Sequence, residues 1–238
     1  MINTAVILAG GAGLRLRPLT NDKPKVMLQV AGKPVLEWVI EWLKFNGITN
    51  FVIGVAYKKE AVKSYFEDGS RFGVKIKYSV HSVEGETGEG FRLAITRHVN
   101  DDVFFATNGD QITNFRLSEM IDYHLKNRLV ATIAVTNPRS PFGVIRVGKN
   151  GLIESFEEKP IIPTLFISTG AYIFNREIVK YLPETGAIEK TAFPLLAERK
   201  LLGACRIKGE WMTVDTLKDL ENTECVLKNK VGEKAWLT

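Results

Sequence analysis

The chain has little with which to build a disulfide framework, a zinc site or a membrane span. Its 238 residues include 2 cysteines, Cys205 and Cys225, and 3 histidines, His81, His98 and His124, and none stands at C-x-x-C or zinc-ligand spacing. Both cysteines are expected to be small core residues in a reducing compartment. No apolar run approaches the ~20 residues that cross a bilayer, so no membrane partner is expected. Met1-Ile2-Asn3 leads straight into an apolar segment, without a basic stretch or small-residue cleavage site. A cytoplasmic location follows as the expectation. Charge of one sign is scarce too: 32 basic residues stand against 27 acidic ones, spread along the chain for a net +5. That balance excludes a dedicated nucleic-acid stripe.

What is present is an ordinary globular composition, 45% hydrophobic and 25% charged, without repeat, low-complexity tract or linker. Residues 1–238 therefore read as a single domain. Ala5 to Ala9 is a continuous apolar, β-branched run ending in Gly10-Gly11, the pattern of a buried strand feeding a loop. Pro34 opens a helix with Val35, Leu36, Val39, Ile40 and Leu43 on one face and Gly47 at its end. Trp38 and Trp42 lie one turn apart on it with Phe45 beyond, which marks either burial or a subunit contact, so a homo-oligomer is allowed. Strands are expected at Phe51–Val55, Val74–Val80 and Val103–Thr107, with helices at Lys58–Asp68 and Gly88–Arg97 between them.

After Thr136 the texture changes. Phe142–Val147, the turn Gly148-Lys-Asn-Gly151 and Leu152–Phe156 read as a β-hairpin, and Leu165–Phe174 as a long strand. Helices near Arg176–Leu182, Ile188–Arg199 and Thr216–Lys228, and a strand at Leu202–Ile207, complete the pattern. Alternating buried strands and helices predict an α/β sheet with helices on both faces, which takes ligands at the carboxyl ends of its strands. Gly10–Gly13 and Asn108-Gly109-Asp110 both fall at such ends, which aims them at one cleft.

The loop Leu8-Ala-Gly-Gly-Ala-Gly-Leu-Arg-Leu-Arg-Pro-Leu-Thr20 places glycines where backbone N–H groups can face an anion, although a tight turn would use them equally well. It lacks the third glycine of a dinucleotide fingerprint and the Gly-Lys-Ser/Thr of a P-loop. A dinucleotide-dependent oxidoreductase is disfavoured accordingly. The continuation Pro24-Lys25-Val-Met-Leu-Gln-Val-Ala-Gly-Lys33-Pro34 adds Lys25 to Arg15 as fixed cations on either side of a turn.

Taken from Leu8 to Pro34, with Asn108-Gly-Asp110, Phe156-Glu-Glu-Lys-Pro160 and Trp211–Thr216, the chain resembles the sugar-1-phosphate nucleotidyltransferase family. The resemblance implies a Rossmann-like three-layer α/β/α mixed sheet with an inserted sugar-binding hairpin. It implies a nucleotide-binding half at about 1–136 and a sugar-phosphate-binding half at about 137–238. The reaction implied joins a nucleoside triphosphate to a sugar 1-phosphate, giving an NDP-sugar and pyrophosphate, with Mg2+ as cofactor. The nucleophile is already an anion, so alignment and charge neutralisation carry such chemistry and no Ser or His triad is needed.

By the same resemblance Arg15 grips the triphosphate and Lys25 the α-phosphate. Asp110 and Asp215 are the magnesium carboxylates, with a helix cap near Thr216 as the other reading of Asp215. Leu8, Ala9, Gly10, Gly11 and Gly13 line the nucleotide, and Thr87 and Gly88 belong to a base loop in which Gly88 lets the backbone approach a flat ring. Gly143, Glu158, Lys159, Ser168, Thr169 and Gly170 surround the sugar phosphate. His81 stands where relatives carry Gln or Glu against the base edge, and Leu14 where many carry a small hydroxyl residue, so base and sugar stay open. A non-catalytic nucleotide-sugar-binding regulatory homologue is the alternative.

Overall fold

The computed structural model describes residues 2–231 and residue 236. In chain order its elements are β1 (Thr4–Leu8), β2 (Gln29–Val30), β3 (Lys33–Pro34), α1 (Val35–Phe45), β4 (Asn50–Val55), α2 (Lys59–Phe66), β5 (Lys75–Val80), α3 (Glu86–His98), β6 (Val103–Asn108), β7 (Gln111–Thr113), α4 (Leu117–Asn127), β8 (Ala131–Thr136), β9 (Val144–Val147), β10 (Ile153–Glu157), β11 (Ile167–Asn175), α5 (Ala192–Glu198), β12 (Leu202–Arg206), β13 (Trp211–Thr213) and α6 (Leu217–Val231). The main sheet runs β12-β8-β11-β6-β1-β4-β5. β1 is parallel to β4 and β6, β4 to β5 and β8 to β12, while β11 runs antiparallel between β6 and β8.

Strand side chains alternate between faces, and the alternation sorts the core into two layers. Ala5, Ile7, Phe51, Ile53, Phe105 and Ile173 face α1, α2 and α4. Their neighbours Val6, Val52, Phe104, Tyr172 and Phe174 face α3 and α5. Each such buried large apolar side chain contributes about 1.5–3 kcal/mol. On the second face Tyr172 stacks on Phe174 at 5.3 Å, and Phe91 of α3 meets Phe174 edge-on at 5.7 Å. The three-layer mixed sheet is thus as the sequence implies.

The expectation leaves out α4 and β8, as well as the short pair β7 and β13. Two expected helices are shorter than read: Arg176–Lys180 is a 3₁₀ turn, and the Ile188–Arg199 segment divides at Thr191 into a 3₁₀ turn and α5. Pro194 is tolerated in α5 because it sits in the first turn, where its missing N–H has no intrahelical acceptor.

Trp38 and Trp42 are buried, their indole N–H groups donating to Val30 O at 2.9 Å and Phe115 O at 2.8 Å. Burial rather than a subunit contact accounts for both. The cysteine expectation needs correction: Cys205 is half-buried and Cys225 is exposed. α6 buries Thr223 and Leu227, one helical turn apart, and Cys225 falls between them on the outer face. Among the described residues no helix is long and apolar enough to cross a membrane.

Candidate active site

Two loops and one strand pair build the site. The first loop follows β1. Gly13 has φ +60°, and a Cβ there would sit 2.9 Å from Lys25 Cβ and 3.1 Å from Thr20 Cγ2, so only glycine fits both the backbone and the space. Thr20, fully buried, donates from Oγ1 to Gly13 O at 2.9 Å, and the Tyr57 hydroxyl donates to Thr20 O at 3.1 Å. The loop is therefore pinned from behind. Gly10 answers to a different neighbour: its Cβ would lie 2.6 Å from the His81 ring.

A third apolar cluster then joins the loops to the end of the chain. Leu16, Leu28, Val30, Val35 and Trp38 from the first forty residues pack with Ile112, Val214, Leu227 and Trp236. β7 pairs with β13 antiparallel, Gln111 opposite Thr213, and Val214 N donates to Asp110 O at 3.2 Å. That pairing places Asp110, just before β7, beside Asp215, just after β13. Lys25 meets both: its Nζ lies 2.6 Å from Asp110 Oδ2 and 2.7 Å from Asp215 Oδ1. Burial works against the Lys25 ammonium, yet the two carboxylates outweigh it and hold its pKa above the usual lysine value. Burial likewise pushes the Asp215 carboxyl up, but Lys25, Thr213 and Arg15 outweigh it and hold Asp215 below the usual carboxylate range. The helix cap is Thr216, which exchanges hydrogen bonds with Asp219, so Asp215 is left for Lys25.

Two adjoining pockets share Gly13 and Leu14. One, of about 510 Å³, is lined by Leu8, Gly10 to Leu14, His81, Val83, Glu86, Thr87, Asn108 and Asp110. The other, of about 280 Å³, is lined by Gly13, Leu14, Arg15, Lys25 and Asp215. A further cleft of about 550 Å³ is lined by Asp102, His124, Arg128 and Asn175, at the amino end of β6. Topology and chemistry, not size, single out the joined pair at the carboxyl ends of β1 and β6.

Most of the anticipated nucleotide residues thus come together, with two exceptions. Ala9 is buried and turned into the sheet, its N–H donating to Gly54 O at 2.7 Å. Gly88 lies inside α3, where its N–H donates to Gly186 O at 2.8 Å and a Cβ would strike Gly186 O and Pro183. Its glycine serves the packing of α3 on that segment rather than the approach of a ring. Thr87 both lines the pocket and receives Ile188 N–H at 3.0 Å. His81 has Nδ1 2.9 Å from Ser82 O, and its Nε2 is buried without a hydrogen-bond partner. A carbonyl partner assigns the proton to Nδ1 and leaves Nε2 an acceptor.

The anticipated sugar residues form no part of either pocket. Gly143 packs under Phe156 and within 3.1 Å, measured from a built Cβ, of Glu158 Oε2, and Lys159 lies 3.4 Å from Glu158. All of β9 and β10 is exposed. Thr169 is buried, its hydroxyl donating to Ala134 O at 2.9 Å, so its side chain belongs to the sheet and not to a cavity. Ser168 Oγ accepts from Gly170 N at 3.2 Å. Gly170, at φ +77°, lies against the Asn108 amide. Asn108, Ala12, Val83 and Glu86 also line the larger pocket; they lie in segments that the sequence aims at the cleft, without an individual role given to them there. Asn108 carried a readable signal, since it ends an apolar strand directly before Gly109-Asp110.

Similarity to known proteins extends along almost the whole chain. Residues 4–230 match the family described as nucleotidyl transferase. The UTP–glucose-1-phosphate uridylyltransferase of Synechocystis sp. is 33% identical over 90% of this chain and 61% of its own length. The mannose-1-phosphate guanyltransferase of Gibberella zeae is 33% identical over 96% of this chain and 65% of its own. The chain thus spans about three fifths to two thirds of the length of these relatives. In fold it superposes on HddC from Yersinia pseudotuberculosis with a TM-score of 0.74 at 22% identity, covering 95% of this chain and 100% of that one.

Proposed function

The chain belongs to the nucleotidyl transferase family, and from that premise we propose that it transfers a nucleoside monophosphate from a nucleoside triphosphate to a hexose 1-phosphate. Mannose and glucose 1-phosphate, the substrates in the names of its relatives, are the favoured acceptors. The products are an NDP-sugar and pyrophosphate. The observation that carries the reading is the convergence of Lys25, Asp110 and Asp215 on one point at the edge of a glycine-walled pocket.

In this reading the base and ribose lie in the larger pocket between Leu8, Gly10 and His81, and the phosphates extend past Gly13 toward Arg15 and Lys25. The sugar-phosphate oxygen attacks the α-phosphorus, and the bond to the β-phosphate oxygen breaks. No proton has to be removed from the attacking group. Arg15 and Lys25 offset the charge of two polyanions that repel each other and hold them in line. Glu158 receives sugar hydroxyl hydrogens and Lys159 faces the sugar phosphate. Asp110 and Asp215 fit magnesium in kind: both are hard oxygen donors, and this ion takes one or two carboxylates with substrate phosphates completing its shell. No third protein ligand is required of the site. When bound there, magnesium would supply charge neutralisation at the transferred phosphate. We place the reaction in the cytoplasm, where the free thiols Cys205 and Cys225 stay reduced.

The test is a pyrophosphate-release assay with magnesium across a matrix of nucleoside triphosphates and sugar 1-phosphates. Turnover with at least one pair is expected. Asp110→Asn should lower it by about 10²–10³-fold, the scale of losing one charge contact at the transition state, with the melting temperature unchanged. Nucleotide binding without turnover for any pair would favour the regulatory homologue instead.

A further inference from the structure

Lys25 sits where a metal would. Its ammonium lies within 2.7 Å of an oxygen of each aspartate, so one cation already occupies the point both carboxylates face. A divalent cation held by the same two carboxylates would need the point that the ammonium fills, and two cations cannot share it. We propose that Lys25 is a resident counter-cation that competes with the metal, so that metal entry and release of the Lys25 ammonium toward the triphosphate are one coupled event. This rests on the reading of Asp110 and Asp215 as the metal carboxylates.

The surroundings allow that exchange and little else. The Lys25 main chain is fixed: Val26 and Met27 beside it are buried, Met27 N donates to Pro24 O at 2.9 Å and Leu28 N to Lys25 O at 3.0 Å. Its Cβ is wedged against Gly13. Only the flexible end of the side chain is free to swing, and the pocket of about 280 Å³ between Gly13, Arg15 and Asp215 gives it room. The two carboxylates, by contrast, are held together by the pairing of β7 with β13 whether or not a metal is present. Without a cation between them they would repel; the lysine offsets that repulsion in the resting site. A triphosphate entering the pocket offers the ammonium new anionic oxygens and frees the aspartates. Nucleotide and metal therefore strengthen each other's binding, and by linkage the effect is reciprocal.

The experiment is a titration of Mn2+ alone, read by the paramagnetic resonance of the free ion, on the wild-type chain and on Lys25→Gln, Lys25→Met and Lys25→Arg. Each titration is repeated with a non-hydrolysable analogue of the nucleotide turned over in the assay above. Both uncharged variants should bind Mn2+ alone about tenfold more tightly than wild type and lose most of the gain from nucleotide. Lys25→Arg, which keeps a cation, should stay near wild type. Mn2+ affinity unchanged or weakened in both uncharged variants, with binding still abolished by Asp110→Asn, would overturn the competition while sparing the metal assignment. Binding that survives both Asp110→Asn and Asp215→Asn would overturn the metal assignment itself.

Discussion

Lys25 and Lys159 are both cations assigned to a phosphate, yet their settings differ. The Lys25 side chain is 12% exposed and lies against two carboxylates, while that of Lys159 is 51% exposed and pairs with its neighbour Glu158 at 3.4 Å. Around Lys25 the loop is pinned by Thr20, by Tyr57 and by an apolar cluster that reaches α6. Around Lys159 the ribbon of β9 and β10 stands in solvent, with Phe142 and Phe156 more than 60% exposed. A two-stranded ribbon of that kind has little stability of its own. Under the proposed function the difference implies an order of events: the nucleotide would meet a preformed wall, and the sugar phosphate would meet groups that gain fixed positions with their ligand.

The largest effect should come from disturbing the preformed side. Gly13→Ala puts a methyl 2.9 Å from Lys25 Cβ and at φ +60°, which costs about 1–2 kcal/mol in backbone strain alone and displaces the ammonium from both aspartates. Steady-state kinetics should show kcat/KM down about 100-fold for both substrates. A loss below about threefold would mean the loop is less rigid than the contrast requires.

Lys159→Ala tests the open side. The KM for sugar 1-phosphate should rise about tenfold, the scale of one charge-assisted contact, while nucleotide affinity and melting temperature stay as in wild type. An equal rise in the nucleotide KM would break the division, because it would place Lys159 at the triphosphate.

The same contrast explains what the sequence made legible. The proposed nucleotide side is written in contiguous residues: an apolar strand ending at Leu8, then three glycines and the cations Arg15 and Lys25 in the run that follows. The site that Asp110 and Asp215 share is legible only through resemblance, because their meeting depends on β7 pairing with β13 across a hundred residues. Gly88 and Thr169 show the limit from the other side. Both lie within motif segments, but whether a glycine or a threonine faces a ligand or a neighbouring segment is decided by tertiary packing, here Gly186 and Ala134. The omission of α4 is of another kind. Leu117, Met120 and His124 recur at helical spacing and are all buried, so its pattern was present in the sequence.

The smallest effects sharpen the comparison most directly, since they ask where stability resides. Thr20→Val keeps the shape of a fully buried side chain and removes the hydrogen bond to Gly13 O. Gly13 O keeps the Leu16 N–H at 2.9 Å, so the loss is that of one hydrogen bond, about 1 kcal/mol, which denaturant unfolding resolves as a shift in midpoint at constant slope. Phe156→Ser changes a side chain that is 63% exposed and should stay within about 0.5 kcal/mol of wild type. The two substitutions differ in size in the opposite sense to their cost: one exchanges a hydroxyl for a methyl, the other removes an aromatic ring. If Phe156→Ser proves the more destabilising, the ribbon is covered in solution, and the sugar side is as preformed as the nucleotide side.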